Sequence, residues 1–339
     1  MSSVDSNQNP GPQPQQIIVQ APKESFLSRM ASRLFYTLFG LSILLNISLL
    51  AASAEYFATD GNVKEKYHSG SKTSDDKIAI VEASGTIMPP NTEKIIAAIK
   101  KAKDDDEVKG VLLKIDSPGG MVTDSHQIYH QLELLRAKKP IFVIMEDFAA
   151  SGGYYIAMGA GKEGKIFAEP TTWTGSIGVI LPHYQMEELV EKLGIKVNPL
   201  KTGQFKDALS PFRPMTPEDE KLWTDIIDQA FQRFLGIIVE NRKEMPMEKL
   251  KPLAQGQVFT SDDAVKNGLV DQIGFEEDAL AALKTQLNLS DPRIVKYEHE
   301  AGLSELLMGA KMGTSPREQW REIMEQTVPR AMYYCSWLP

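Results

Sequence analysis

Cysteine is nearly absent: Cys335, close to the C-terminus, is the one thiol in 339 residues. No intrachain disulfide can form, and no thiolate cluster can hold a metal. Histidine is scarce as well. Of five, only His126 and His130 stand four apart, in HQIYH, where a helix would put both rings on one face. That is half of a zinc signature, but Gln127 occupies the place of a general-base glutamate and no third ligand is evident, so no metal is expected. Positive charge is also short. Lys and Arg total 37 against 45 Asp and Glu, giving a formal net charge of -8, and the basic residues are scattered along the chain. A nucleic-acid surface normally shows a basic face, so that class of partner is excluded.

The first 33 residues open with MSSVDSNQNPGPQPQQIIVQAP, rich in Pro, Gln, Asn and Ser, which buries too little apolar surface to offset chain entropy and predicts a disordered arm. Next, Leu34 to Ala54 runs 21 residues without a charge, the length a helix needs to cross a bilayer. Two readings are open: a retained transmembrane helix, or a cleaved secretory signal ending at Ala52-Ser53-Ala54. The 33-residue leader and the length of the apolar run favour the helix. Lys23, Arg29 and Arg33 precede it while only Lys64 and Lys66 follow closely, a bias that places the N-terminus in the cytoplasm and the body of the protein outside.

After a linker, 55–76, short β-rich runs alternate with helical stretches across 77–290. KIAIVEASGTI, GVLLKIDS and PIFVIMED read as strands; EKIIAAIKKAK, SHQIYHQLELLRA and a segment from near Ser151 read as helices. That order predicts repeated βαβ units and a sheet covered by helices. KIFAEP, TTWTGSIGVI and VNPLKTG are further expected strands, and YQMEELVEKLG a helix. EDEKLWTDIIDQAFQRFLGIIVENRK is a long amphipathic helix, with Pro217 near its first turn and Pro246 past its end. No internal repeat is present, so the α/β region is a single copy. Residues 291–339 form a C-terminal extension of less legible structure.

Chemistry can sit in several turns. IDSPGG, Ile115 to Gly120, joins an apolar strand to a helix; its glycines permit positive φ and close backbone approach, serving either an oxyanion site or a plain tight turn. In ASGGYY, Ser151 stands where a strand meets a helix. It is either a nucleophile, with the Gly152 N–H as an oxyanion donor, or an ordinary N-cap. A nucleophilic serine needs a proton acceptor. His126 and His130 fall on a helix with Ile128, Leu132 and Leu135, His183 lies in a loop, and His68 and His299 are distant in chain order, so no histidine stands out. Lysine serves where burial favours its neutral form. Lys206, in KTGQFKDALSPF beside Phe205, Ala208, Leu209, Pro211 and Phe212, fits such a site; the alternative is an exposed lysine paired with Asp207. Ser176, in TGSIGV, is placed either to orient a lysine amine or to pair with backbone in a turn.

DSPGG, AASGGYYIA, TGSIGV, KTGQFKDALSPFRPMT and GQVFTSDDAVKNGLVDQIG, in this order between Lys77 and Phe275, resemble the signal peptide peptidase SppA family, also called protease IV. The resemblance implies a ClpP/crotonase-like α/β fold and a membrane-anchored bacterial serine peptidase without a cofactor. It matches Ser151 to the nucleophile, Lys206 to the general base, Ser176 to the serine that hydrogen-bonds the lysine, and Gly120 and Gly152 to the oxyanion donors. It further implies the short, single-copy form: a ring of eight subunits in which each Ser/Lys site is shared between neighbours. The expected substrates are remnant signal peptides, cut on the extracytoplasmic side of the cytoplasmic membrane in their apolar region, with small or hydrophobic side chains preferred. The sequence departs from the family at Gly256-Gln257-Val258-Phe259, where Gly-Arg commonly precedes the late aromatic residue, and GAGKEG is longer than in relatives. Two alternatives compete. A crotonase-type enzyme would need a CoA-binding surface and has no use for an anchor. A catalytically inactive membrane scaffold or binding module of the same fold has no chemical need for Ser151 and Lys206.

Overall fold

The computed structural model describes residues 26–57, 63–299 and 331–335. The chain divides into two compact units, 1–57 and 58–339.

Among the described residues the first unit holds one helix, α1 (Phe26–Phe57), without an internal proline. Within it Ser32–Leu50 is long and apolar enough to cross a membrane. Its polar side chains turn back on the helix: Thr37 donates to the Arg33 carbonyl at 2.8 Å and Asn46 to the Ser42 carbonyl at 2.8 Å. This is how hydroxyls and amides are satisfied where water is absent. The helix starts inside the stretch expected to be disordered, which corrects that expectation for residues 26–33. Once a helix is nucleated on the apolar run, each further residue adds a bond at little cost. The remainder of the arm, 1–25, lies outside the described residues.

The second unit opens with β1 (Val63–Gly70), β2 (Lys77–Ser84), α2 (Asn91–Asp104), β3 (Val108–Ser117), β4 (Gly119–Met121) and α3 (Val122–Arg136). It continues through β5 (Ile141–Ala150), α4 (Gly152–Ala157), β6 (Ile166–Ala168), β7 (Trp173–Gly175), α5 (Glu187–Lys192) and α6 (Pro217–Asn241). Then follow α7 (Met247–Leu250), β8 (Val258–Thr260), α8 (Ser261–Asn267), β9 (Gln272–Ile273), α9 (Glu276–Leu287), β10 (Arg293–His299) and β11 (Met332–Tyr334). The main sheet runs β1-β10-β2-β3-β5-β6-β9, with β7 branching from β5 and β8 from β7. From β10 to β9 the strands are parallel; β1 and β8 are antiparallel.

Parallel strands need cover on both faces, which is why their sequences are continuous apolar runs. Alternate residues enter opposite layers. Ala79 and Val81 of β2, Leu113 and Ile115 of β3, and Val143 and Met145 of β5 pack with Ile95, Ile99, Leu132 and Leu135 from α2 and α3. On the other face Ile78, Ile80, Leu112, Phe142 and Ile144 meet Leu280 and Leu283 of α9. The helix-covered sheet expected from the βαβ order is therefore present. α6 begins at a capping box in which the Thr216 hydroxyl accepts from the Asp219 amide at 3.2 Å, and Pro217 occupies its first turn.

Two boundaries and one expected strand differ from the sequence reading. β1 lies in the presumed linker and β10 in the presumed extension, so the sheet reaches past both ends of 77–290. VNPLKTG forms no strand: Val197 to Gly203 is exposed and without regular structure, and Pro199 withholds a ladder donor.

Candidate active site

β3 and β5 are neighbours in the sheet, with Ser117 registered against Ala149, so the turns that follow them meet. They meet too closely for side chains. A methyl group on Gly152 would lie 2.6 Å from the Ser125 hydroxyl, 3.0 Å from the Gly119 Cα and 3.1 Å from the Gly120 nitrogen. One on Gly119, whose φ is +101°, would lie 2.6 Å from the Gly152 nitrogen. The glycines of DSPGG and ASGG are thus required by mutual contact, and they bring the Gly120 and Gly152 amides together. Below them the Ser117 hydroxyl accepts from Gly119 N–H at 3.1 Å and donates to the Gly85 carbonyl at 2.6 Å, fixing the turn.

Ser151 sits at the sharp strand-to-helix corner between β5 and α4, with φ 54° and ψ -111°, and is buried. A non-glycine residue in that region is strained by about 1–3 kcal/mol. Its side chain makes no capping bond to α4, which removes the N-cap reading. Its backbone is held instead: Ser151 N–H donates to the Gly175 carbonyl at 2.7 Å, and Tyr155 N–H to the Ser151 carbonyl at 2.8 Å. A strained serine at a strand-to-helix corner, with the Gly120 and Gly152 nitrogens close by, can carry out acyl transfer.

Ser176 comes into the same place. β7 pairs with β5 with Gly175 against Ala150, so Ser151 and Ser176 are the next residues off two adjacent parallel strands. Ser176 is also buried and also left-handed, with φ 49°. Its N–H donates to the Gln257 carbonyl at 2.7 Å. Gln257, in the GQVF departure from the family pattern, braces this corner through its backbone.

Lys206 is placed differently. It lies on a single 3-10 turn, Gln204–Asp207, and its side chain is exposed within one chain. Asp207 instead takes Lys201 at 2.6 Å and Arg213 at 3.0 Å. Arg213 goes on to Asp219 at 2.6 Å, and its charge pulls that carboxyl down to about 2 and holds Asp207 below the ordinary range. The segment around Lys206 carries Tyr184, Leu189, Leu193, Ile195, Leu200, Phe205 and Phe212, all exposed. His126 is turned to the Tyr155 hydroxyl at 2.8 Å, and burial followed by the Arg233 charge lowers its pKa, so its ring is kept neutral.

One element of the site escaped the sequence reading. β11, from the tail, lies antiparallel to β4 with Tyr333 opposite Gly120. On its other side Met332 exchanges backbone bonds with Ile180, at 2.9 and 3.0 Å. Its run of Met-Tyr-Tyr is the signal that could have marked a strand.

Comparison with known proteins bears on this arrangement. The model for peptidase family S49 matches residues 133–290, and that for Clp protease residues 67–176. A protein of Enterococcus faecium named as a signal peptide peptidase SppA is 32% identical over 302 residues, 85% of this chain and 84% of its own length. The chain belongs to the SppA branch of peptidase family S49. A chloroplastic serine protease SPPA of Arabidopsis thaliana is 35% identical over 226 residues, 63% of this chain and 33% of its own length. Protease 4 of Salmonella typhi is 32% identical over 260 residues, 74% of this chain and 41% of its own length. This S49 member is accordingly a protease with the ClpP-like α/β fold, and peptides are its substrates.

Proposed function

We propose that this protease is a membrane-anchored serine endopeptidase working through a Ser/Lys dyad. The observation that carries the reading is Ser151: buried, backbone-strained, free of a capping role and flanked by the Gly120 and Gly152 amides. Ser151 Oγ attacks the peptide carbonyl carbon while the neutral Lys206 Nζ takes its proton; the oxyanion forms against the two amides. Collapse breaks the C–N bond and the leaving amine takes the proton from Lys206, leaving an ester on Ser151 that water hydrolyses. Ser176, beside Ser151, orients the lysine.

A lysine base must be desolvated, and Lys206 is exposed on an apolar segment within a single chain. We assign that segment to the neighbouring copy of a homo-octameric ring, so that each site takes its serine from one subunit and its lysine from the next. Ser32–Leu50 is the membrane anchor, with the catalytic unit on the extracytoplasmic side of a bacterial inner membrane, and remnant signal peptides are the substrates.

The test is cleavage of a signal-peptide-like fluorogenic peptide by the full chain in detergent, comparing wild type, Ser151→Ala, Lys206→Ala and the two variants unfolded and reassembled together. Both single variants should be inactive and the mixture partly active. Activity surviving in either single variant removes that residue from the dyad; a dead mixture with live wild type removes the shared site.

A further inference from the structure

Within one chain little apolar contact fixes the turn that carries Lys206. Every residue from Glu191 to Lys206 is exposed, and the first buried residue beyond them is Ala208. The turn is held by charge instead. Asp207 offers one carboxylate oxygen, Oδ1, to two cations: Lys201 Nζ at 2.6 Å and Arg213 Nη2 at 3.0 Å. The other terminal nitrogen of the same guanidinium, Nη1, donates to Asp219 Oδ2 at 2.6 Å. Asp219 is buried in the first turn of α6, where that oxygen also accepts from the Thr216 N–H at 3.1 Å and closes the capping box. Further along, Phe234, Leu235 and Ile238 fix α6 in the core. A continuous path of charged hydrogen bonds, Asp207 to Arg213 to Asp219, therefore ties the Lys206 turn to a helix that does not move.

Two properties of this path matter to a lysine that acts as a base. One is geometric. A guanidinium is planar and presents its N–H groups in a fixed fork, so bridging two carboxylates sets the distance between them, which the point charge of a lysine would not do. The other is electrostatic. A carboxylate beside an amine favours the ammonium form, and Asp207 adjoins Lys206 in the chain. The hydrogen bonds from Arg213, then Lys201, keep Asp207 ionised, but they also set two cationic nitrogens against its charge. Around Lys206 the chain thus supplies Lys201 and Arg213 against Asp207 and Asp219, a balanced set, and the corner it would serve supplies the neutral hydroxyls of Ser151 and Ser176.

We propose that Arg213 is a positioning residue for the general base: bridging Asp207 to Asp219, it hangs the Lys206 turn on α6 and, with Lys201, balances the carboxylate that would otherwise hold the lysine as an ammonium ion. The inference rests on the assignment of Lys206 as base and adds what places and tunes it. Misplacing a catalytic group by about 1 Å costs about a hundredfold in rate. Removing one positive charge from the surroundings of a desolvated amine raises its titration by about one pH unit, which moves the ascending limb of the rate profile to higher pH.

The experiment uses the full chain in detergent and follows kcat and KM on a fluorogenic peptide from about pH 6 to about pH 10, with sedimentation to report assembly. Arg213→Met should lose about a hundredfold in kcat at neutral pH, keep KM within about twofold, and show its limb about one pH unit higher. Arg213→Lys, which keeps the charge and loses the fork, should leave the limb in place while kcat falls about tenfold. Asp207→Asn should move the limb down, and Asp207→Asn added to Arg213→Met should bring the limb back to the wild-type position without restoring kcat. A wild-type kcat and limb in Arg213→Met, a loss confined to KM, or a fall in kcat with the limb unmoved in both Arg213→Met and Asp207→Asn overturns the proposal. If Arg213→Met does not assemble, Arg213→Lys and Asp207→Asn decide, and wild-type behaviour in both overturns it. Activity surviving in Lys206→Ala defeats the assignment of the base itself, and this inference with it.

Discussion

Gly152→Ala is the sharpest perturbation of the site. The added methyl would meet the Ser125 hydroxyl at 2.6 Å, the Gly119 Cα at 3.0 Å and the Gly120 nitrogen at 3.1 Å. The hydroxyl can rotate away, giving up its 2.9 Å bond to the Met121 carbonyl. The two backbone atoms cannot, and they must retreat by a few tenths of an ångström. Overpacking of this kind costs about 1–3 kcal/mol, which for a domain of this size lowers Tm by about 2–4 °C per kcal/mol. The functional loss should be larger than the loss of stability. The displaced atoms belong to the turn that carries the Gly120 amide, one oxyanion donor is worth about 10²–10³ in kcat, and partial misplacement should forfeit about ten- to a hundredfold. Gly178→Ala is the control, because its methyl meets nothing nearer than 3.7 Å. The assay is kcat on a peptide substrate beside a thermal unfolding curve for both variants. Unchanged turnover in a folded Gly152→Ala protein would refute the assignment of these amides to the oxyanion.

Other substitutions test separate parts of the argument. Ser176→Gly relieves a left-handed non-glycine residue, so Tm should rise by an amount equivalent to about 1–2 kcal/mol while turnover falls with the loss of the hydroxyl. Arg242 is buried and holds Asp271 at 2.7 Å and the Gly268 carbonyl at 3.0 Å. Arg242→Met removes the guanidinium from that carboxylate, which keeps its 2.7 Å bond from the Ile166 N–H, and should cost about 3 kcal/mol by denaturant unfolding, the low end for a broken buried pair because Asp271 is partly exposed. Asp207 and Asp219 have pKa values depressed by their hydrogen bonds to Arg213, so their contribution is present above the ordinary carboxylate pKa of 3.8 and is lost as pH falls below it, for Asp219 through about 2. Hydrogen-exchange protection across 184–212, taken relative to the intrinsic rate at each pH, should therefore fall below about pH 4 in wild type, and Arg213→Met should be poorly protected already at neutral pH.

Much of the sheet was legible because it is buried on both faces. KIAIV, GVLLKI and IFVIM are continuous apolar runs, and the helices between them carry their own stop and start residues, as Thr216-Pro217 does for α6. β1 was not legible: VKEKYHSG is charged and mostly exposed, as suits an edge strand guarded against mispairing, and charge of that kind reads as linker. β10 and β11 were missed because their partners are far away in the chain. The candidate serines were visible as residues on glycine-rich turns, but their left-handed backbone was not, since serine gives no cue for positive φ. For Lys206 the apolar neighbours suggested burial, and within one chain they are exposed beside it. The same residues read as core in a sequence whether their cover comes from the chain itself or from another copy.

The place of β10 also governs how the catalytic unit can assemble. It inserts between β1 and β2, yet about 210 residues separate the end of β2 from its start, so the sheet cannot be completed until nearly the whole domain has been made. At about 5–20 residues per second, β2 waits roughly 10–40 s for its neighbour, with one row of backbone donors and acceptors unpaired. Closing so long a loop adds contact order and slows the final step. Until β10 arrives β1 has no strand of the sheet to pair with, and the charges of Lys64, Glu65 and Lys66, exposed on it, discourage this waiting strand from pairing with another chain.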